Sequence, residues 1–494
     1  MKPHSYPIGA MLPRVFRPLH LPVVLAGSRR TSPRPVAIHL APVAVAVAVA
    51  SVVAVVEVAV VVGSMDLPAK IKTRLVIFGI TGDLSKRKLL PALRRIVTSQ
   101  SVGELEIIGI SRSQLNIQRL VGPKLESLSR GITMDIASLD DYRKLKKEIL
   151  PKTGEQTLIY LSVPPSASTR IADSLGEVGI NNPRVKLLFE KPFGLDLASS
   201  QDMVERTSRY FSESQIYRID HYLAKEMVQN IVAFRSGNAM FRHLWGNRAV
   251  ERVEIRAYET LGIAARAQFY EQTGALRDVV QGHLMQLLAL VLMDIPSTLN
   301  WDQLPDLRLQ ALRRISPASP EQAIRAQYDT YKDEVGSSNS QIETFVKVDL
   351  YSDSLMWENV PLVLVTGKAL DRKVTEIIIY FKTGHVDQSN ALRFKIQPDE
   401  GIEIDLFVKS PGYERVYERQ KLQYKYPEDA SLPEAYEQVL VDAIKSRKSL
   451  FTSSQEILES WRILQPVLFS WYFNDSPIAI YKSGTSAQEI IDDK

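Results

Sequence analysis

Cysteine is absent from the 494-residue chain. That excludes disulfides, thiolate nucleophiles and cysteine-ligated metals, and it suits a reducing compartment. A surplus of charge is also missing from most of the chain, although the whole carries +5. Six of the 61 Lys/Arg residues (Lys2, Arg14, Arg17, Arg29, Arg30, Arg34) and one of the 56 Asp/Glu residues (Glu57) lie in residues 1–64, leaving 55 of each sign in the rest. A nucleic-acid-binding face needs a clustered basic stripe, and none is present. Histidine is scarce: seven in all, three of them before Met65. One stretch is almost pure Val/Ala, APVAVAVAVASVVAVVEVAVVVG (41–63), preceded by Arg29, Arg30 and Arg34. It is long enough to span a bilayer, so one reading is a signal anchor or basic targeting peptide. The other reading is a low-complexity extension outside the fold, with the working protein starting at Met65. Glu57 inside the run, the lack of a small-residue cleavage site and the mechanical repetition favour the second, and residues 1–64 are set aside on that basis.

The remaining length is too great for one ordinary core, so two large domains are expected. Composition is globular, at 45% hydrophobic and 24% charged. TRLVIFGITGDLSKRKLLPALRRI (73–96) opens on continuously apolar Leu75–Phe78, the pattern of a parallel strand buried on both faces. Gly79 and Gly82 turn the chain, and Leu89, Leu90 and Leu93 form a helical stripe. Strand, glycine turn and helix together aim backbone N–H groups at a pyrophosphate. The spacing is G-x-x-G-x-x-S, with Ser85 in place of a third glycine, so the turn by itself reads equally as a dinucleotide cradle or a plain turn.

ELEIIGISRS (104–113) ends in Ser111-Arg112-Ser113, where NAD-selective folds present an acid to the ribose 2′-hydroxyl. An arginine flanked by hydroxyls suits a 2′-phosphate instead, the alternative being a solvated strand-end arginine. QTLIYLSVPPSA (156–167) is a further strand, and VKLLFEKPFGLDL (185–197) another that runs into Glu190-Lys191-Pro192. An X-Pro bond just past a strand is a candidate cis turn. Lys191 there is either solvated or, at the carboxyl edge of a parallel sheet, faces the ligand crevice.

RIDHYLAKEMVQN (218–230) packs an acid, a histidine, a tyrosine and a lysine into six positions. If 220–234 is helical, His221 and Lys225 stack as i and i+4 near a helix N-terminus, forming a phosphate receptor, and Asp220 is either part of the site or only the N-cap. In AYETLGIAARAQFYEQTGALRDVVQGHLMQLLALVLMD (257–294), Asp278 to Asp294 reads as a largely buried helix. His283 sits early in it beside Gly282, which opens room for a ligand; the residue is either a base or a hydrogen-bonded core histidine.

GITGDLSKRKLLPAL, GISRS, EKPFGLDL, RIDHYLAKE, GALRDVVQGHLMQ, GKAL, IQPDEGI and LPEAYEQVLVDAI follow one another in an order and spacing that resembles glucose-6-phosphate dehydrogenase, from about Thr73 to about Tyr481. The resemblance implies an α/β Rossmann coenzyme domain (about 70–200) and an α+β domain (about 201–485) built on a large, mainly antiparallel sheet. It implies a cytoplasmic enzyme that oxidises β-D-glucose 6-phosphate to 6-phosphoglucono-1,5-lactone with NADP, the first step of the oxidative pentose phosphate pathway. A homodimer or homotetramer is expected, with no nucleic-acid partner and no membrane partner unless the N-terminal apolar run is real. On this resemblance His283 would be the general base on the C1 hydroxyl and Asp220 its orienter. His221, Tyr222 and Lys225 would hold the 6-phosphate, and Glu259 and Asp278 would accept sugar hydroxyls. Lys191 would lie between sugar and nicotinamide, and Lys368 would reach the sugar from the second domain. Gly79, Ile80, Thr81, Gly82, Asp83, Leu84, Ser85, Lys86, Arg112 and Tyr160 would contact NADP. No metal is called for, because loss of hydride needs only a base on the hydroxyl.

The chain also departs from the family pattern. Ala224 stands where glycine is common and Gly282 where asparagine is frequent. Lys373 takes the place of a phosphate-side arginine, with Arg372 one position early, and lysine lacks the bidentate fork. The end YKSGTSAQEIIDDK lacks the family's tryptophan-bearing tail, so a second, structural NADP site is not expected. Two rival readings remain: an NAD-dependent dehydrogenase of unphosphorylated sugars, against which His221 and Lys225 speak, and a non-catalytic sugar-phosphate sensor, which has no reason to keep Asp220 and His283.

Overall fold

The structure, a computed structural model, describes residues 71–263, 266–384, 388–473 and 477–493. The low-complexity extension 1–64 lies outside the described residues. Strands β1 (Lys72–Phe78), β2 (Leu105–Ser111), β3 (Ser129–Thr133), β4 (Glu155–Leu161), β5 (Val185–Phe189) and β6 (Ile216–Ile219) are parallel and lie side by side in the order β6-β5-β4-β1-β2-β3. This is the doubly wound arrangement of a dinucleotide fold, with its topological switch between β1 and β4. Leu75, Val76 and Ile77 are fully buried, as their unbroken apolar run requires of a strand covered by helices on both faces.

The first sheet does not stop at residue 200. The helix Leu197–Ser208 and strand β6 belong to it, and its edge is closed by a two-residue strand, Phe451–Thr452, antiparallel to β6. The expected boundary therefore falls before the last parallel strand, whose four residues are too short a run to stand out in the sequence.

The second sheet has nine strands: β7 (Val250–Tyr258), β8 (Ala323–Tyr328), β9 (Phe345–Leu350), β10 (Leu362–Gly367), β11 (Val374–Phe381), β12 (Ala391–Gln397), β13 (Gly401–Lys409), β14 (Tyr417–Lys425) and a short strand, Ala479–Tyr481. Their order is β14-β13-β12-β11-β7-β10-β9-β8 followed by Ala479–Tyr481. Pairing is antiparallel except for β7 with β10 and β8 with Ala479–Tyr481. The helical stretch Ala267–Leu292 is apolar and long enough to cross a membrane, but 78% of its apolar window is buried, and it packs on β7 and β10 as a core element.

The helix expected over 220–234 begins later, at Glu226, and ends at Gly237. Residues 220–225 are instead a succession of turns: the Tyr222 N–H donates to Asp220 Oδ1 at 2.9 Å, the Leu223 N–H to the Asp220 carbonyl, and the Lys225 N–H to the Tyr222 carbonyl. Asp220 is thus no helix cap, and His221 and Lys225 do not stack on a helical face. A short acidic side chain that bonds its own backbone two residues on competes with helix formation.

Candidate active site

The carboxyl ends of β1 and β4 meet at the switch point. Gly79 has φ +77°, and a Cβ on it would fall 2.2 Å from the Ser162 carbonyl oxygen, so only glycine lets the two strand ends approach this closely. Ser85 is fully buried and braces the turn, donating to the Gly79 carbonyl at 3.0 Å and lying 3.1 Å from Ser162 Oγ. The third-glycine position is therefore filled by a hydroxyl that ties the loop down. Thr81, Asp83 and Lys86 are exposed along the turn, Gly82 and Leu84 are half-buried, and Ile80 is in the core. Arg112 is exposed at the end of the neighbouring strand. A bare glycine turn at the end of a parallel strand fits the pyrophosphate of a dinucleotide. Tyr160 is not on that surface: it is fully buried in β4 and donates its hydroxyl to Glu190.

His283 and Asp220 come together from elements 63 residues apart, with Nδ1 to Oδ1 at 2.6 Å. His283 lies in a π-helical segment, Leu276–Leu284, a form often found at functional sites. Both side chains are buried, and Asp220 Oδ2 has no hydrogen-bond partner among the described residues. Burial pushes the Asp220 carboxyl up, but His283, Lys191 and His221 outweigh it and hold the group down to about 2. Burial and the nearby Lys191 charge depress the His283 imidazole, while Asp220 pulls it back up. With Nδ1–H given to a carboxylate, Nε2 carries the lone pair of the ring, as a base requires. Tyr222 stacks on the imidazole with centroids 4.0 Å apart, and His221 meets it edge-on at 4.7 Å. Ligand atoms of Asp220, His221 and His283 lie close enough together to hold a cation. The Lys191 ammonium, 2.9 Å from Nε2, already brings positive charge to that place.

Around this dyad the first and second sheets each contribute. The Lys191–Pro192 bond is cis. Lys225 donates to Gln397 Oε1 at 2.8 Å, and Gln397 donates to Thr375 Oγ1 at 3.0 Å. Burial and the charges of Lys373 and Lys88 depress the Lys225 ammonium, against the opposing pull of Glu400. Several cations converging on one half-buried spot is what a dianionic phosphate group would relieve. On the other flank, β7 and β10 run in register with Tyr258 opposite Gly367, so the next residues, Glu259 and Lys368, emerge side by side and form an ion pair. Asp278 is half-buried with Arg266 3.8 Å away. The structure therefore brings Asp220, His221, Tyr222, Lys225, Lys191 and His283 into one cluster, with Lys373 on the cation side and Asp278 facing Lys191.

This layout has known counterparts. A family profile described as glucose-6-phosphate dehydrogenase, C-terminal domain, matches residues 232–493, and one described as glucose-6-phosphate dehydrogenase, NAD binding domain, matches 76–128 and 123–230. The chain belongs to the glucose-6-phosphate dehydrogenase family. The glucose-6-phosphate 1-dehydrogenase of Dickeya dadantii is 32% identical over 461 residues, covering 83% of this chain and 94% of its own. That of Chlamydia muridarum is 33% identical, covering 82% and 91%. The crystal structure of the Mycobacterium avium enzyme superposes with a TM-score of 0.76 at 30% identity, covering 84% of this chain and 95% of that one. A glucose-6-phosphate dehydrogenase in complex with its substrate glucose 6-phosphate gives 0.79 at 27% identity, covering 86% and 99%.

The departures from the glucose-6-phosphate dehydrogenase pattern have physical places. Ala224 is buried in the apolar cluster with Tyr217 and Ile219, where a methyl fits. Lys373 and Arg372 are both exposed, and the Arg372 guanidinium sits 5.8 Å over the Tyr258 ring. Three side chains that sequence reasoning did not assign belong to the site. Gln397 holds Lys225; it stands inside the quoted IQPDEGI. Tyr436, in LPEAYEQVLVDAI, stacks flat over His221 at 6.2 Å. Glu190, beside Lys191, is raised to about 7 by burial, with its bonds to Tyr160 and Tyr436 opposing.

Proposed function

We propose that the protein oxidises β-D-glucose 6-phosphate at C1 to 6-phosphoglucono-1,5-lactone, with NADP as hydride acceptor. The observation that carries this reading is the buried Asp220–His283 pair, its Nε2 lone pair aimed into the cluster that also holds His221 and Lys225. His283 Nε2 takes the proton of the C1 hydroxyl as the C1–H bonding pair leaves. The developing positive charge on the ring is met by Asp220, which the surrounding cations keep ionised. NADP, when bound, supplies the carbon that receives the hydride. Tyr222, His221 and Lys225, with Gln397 behind the lysine, hold the 6-phosphate, and Glu259, Asp278 and Lys368 orient the ring hydroxyls. Arg112 selects the 2′-phosphate, since a guanidinium at the end of β2 replaces the usual acid.

The test is formation of reduced nicotinamide, followed by absorbance, with NADP and NAD each paired with glucose 6-phosphate and glucose. Turnover with glucose 6-phosphate and NADP well above the other three combinations supports the reading. A preference for free glucose would overturn the phosphate assignment, and no turnover with any pair would leave a binding protein. Assembly as a homodimer or homotetramer through the large sheet is supported by β13 and β14, whose Val408, Tyr417, Leu422 and Tyr424 are exposed on its outer edge. Light scattering giving a monomer at micromolar concentration would remove it.

A further inference from the structure

Lys191 Nζ lies 2.9 Å from His283 Nε2 and 2.9 Å from the Asp278 carbonyl oxygen. Because His283 gives its Nδ1–H to Asp220, Nε2 can only accept, and the ammonium donates to it. The bond consumes the lone pair that the reaction needs. Space for it comes from one position: a Cβ on Gly282 would meet Lys191 Nζ at 2.0 Å and Cε at 2.5 Å, while its next neighbour, the Arg277 carbonyl, stays at 3.5 Å. Any side chain at 282 would therefore displace the tip of Lys191 and little else.

We infer that Gly282 decides where Lys191 rests: with no side chain at 282, the lysine parks on Nε2 of His283, and the substrate's C1 hydroxyl must displace this internal donor before the base can act. Gly282 touches neither substrate nor coenzyme in this account and is a positioning residue acting through Lys191. The charged and titratable groups facing the pair are Asp220 and His221 from the turns after β6, Glu190 from the end of β5, Asp278 from the same π-helical segment as His283, and Arg266 from the segment before it. Of these, Asp220, Asp278 and Glu190 stabilise the ammonium and Arg266 opposes it. Burial lowers the Lys191 ammonium from its ordinary value, and the three acids oppose that shift.

The inference rests on His283 being the general base, so its test reads His283 directly as well as through turnover. The imidazole Cε1–H of His283 is titrated by NMR in the substrate-free protein for wild type, Gly282→Ala, Gly282→Asn, Lys191→Met and the Gly282→Ala/Lys191→Met double variant. Lys191 lowers the His283 titration, so Gly282→Ala, Gly282→Asn and Lys191→Met should each raise it. The double variant should go no further than Lys191→Met alone. In Gly282→Ala the acid limb of kcat/KM should move up by the same amount. KM for glucose 6-phosphate should fall by roughly threefold to tenfold, with kcat kept within about twofold, because a donor–acceptor bond to a charged group no longer has to be broken on binding. If Lys191→Met raises the titration and Gly282→Ala does not, residue 282 has no say in where the lysine rests and the inference fails. It fails equally if none of the variants moves the His283 titration. A titration that rises in Gly282→Ala with an unmoved kinetic limb would uphold the resting place of Lys191 and remove His283 as the base.

Discussion

Asp220 Oδ1 and His283 Nδ1 lie 2.6 Å apart in the interior, joined across the junction of the two sheets. A carboxylate this buried, whose second oxygen has no partner among the described residues, costs stability unless its charge is used. If it serves to hold a forming imidazolium, removing the charge must slow chemistry. His283→Asn is expected to lower kcat by about 10²–10⁴-fold, the usual reach of a general base, with little change in substrate Kd. Asp220→Asn should also lower kcat, and the double variant should be scarcely slower than His283→Asn, since an orienter has nothing left to orient. Additive losses would show that Asp220 works through the 220–225 turns rather than through the histidine.

The pH dependence has a definite sign. Burial and Lys191 lower the His283 titration below its ordinary value of about 6.5. A base must be unprotonated, so a lowered titration keeps it competent further into acid. The acid limb of kcat/KM for glucose 6-phosphate should lie below pH 6.5, and a limb above that value in wild type would contradict the environment described for His283.

Phosphate recognition separates from chemistry. Lys225→Ala and His221→Ala should raise KM for glucose 6-phosphate by roughly tenfold or more, the usual scale for losing a charge-assisted contact, while leaving slow oxidation of free glucose nearly unchanged. Gln397→Leu should act in the same direction as Lys225→Ala but less strongly, because it frees the lysine without removing its charge. Equal losses with both sugars would mean that these residues support the fold or the base instead.

The proposed coenzyme choice can be tested at one exposed position. Arg112→Ala should raise KM for NADP by roughly tenfold and barely affect NAD, if the guanidinium meets the 2′-phosphate. Parallel losses would show that Arg112 does not distinguish them.

A structural pair far from the chemistry gives a stability test. Arg308 and Glu456 are fully buried with Nε to Oε1 at 2.7 Å, and the same guanidinium donates to the carbonyls of Ser449 and Phe451. Glu456→Ala leaves that charge buried and unpaired, and it is expected to cost about 3–5 kcal/mol in urea unfolding. A change below about 1 kcal/mol would mean that water reaches the guanidinium, contrary to its burial.

Elements with a strong local pattern were legible. The buried run Leu75–Phe78, the glycine turn and strands β9 to β13 all follow from apolar runs or alternation bounded by turn residues. Strand β14 was not, because YERQKLQYK is mostly polar, shows no apolar alternation and pairs with β13 at an exposed edge. The 220–225 turns were misread as helix because i, i+4 spacing carries no information on whether the intervening backbone is helical. Asp220 and His283 could be nominated one at a time, but no spacing rule ties residues 63 apart. Their meeting required the turns after β6 to reach the π-helical segment that packs on β7 and β10. Gln397, Tyr436 and Glu190 were missed for the same reason: each acts by what it touches in three dimensions, and a glutamine at a strand end or a tyrosine in a helix has no sequence mark of such a task.

The first sheet is finished by the far end of the chain. Phe451–Thr452 pairs with β6, and the buried Lys186 of β5 draws two of its three acceptors, the Ala443 carbonyl and Ser446 Oγ, from the same C-terminal region. Gln156 of β4 likewise donates to the Ile444 carbonyl. During synthesis, then, the six parallel strands emerge long before their last edge and their buried polar groups can be satisfied. A nascent chain stalled near residue 230 would present an open β6 edge and an unmet Lys186 ammonium, which makes this half a candidate for chaperone capture until the last tenth of the polypeptide clears the ribosome.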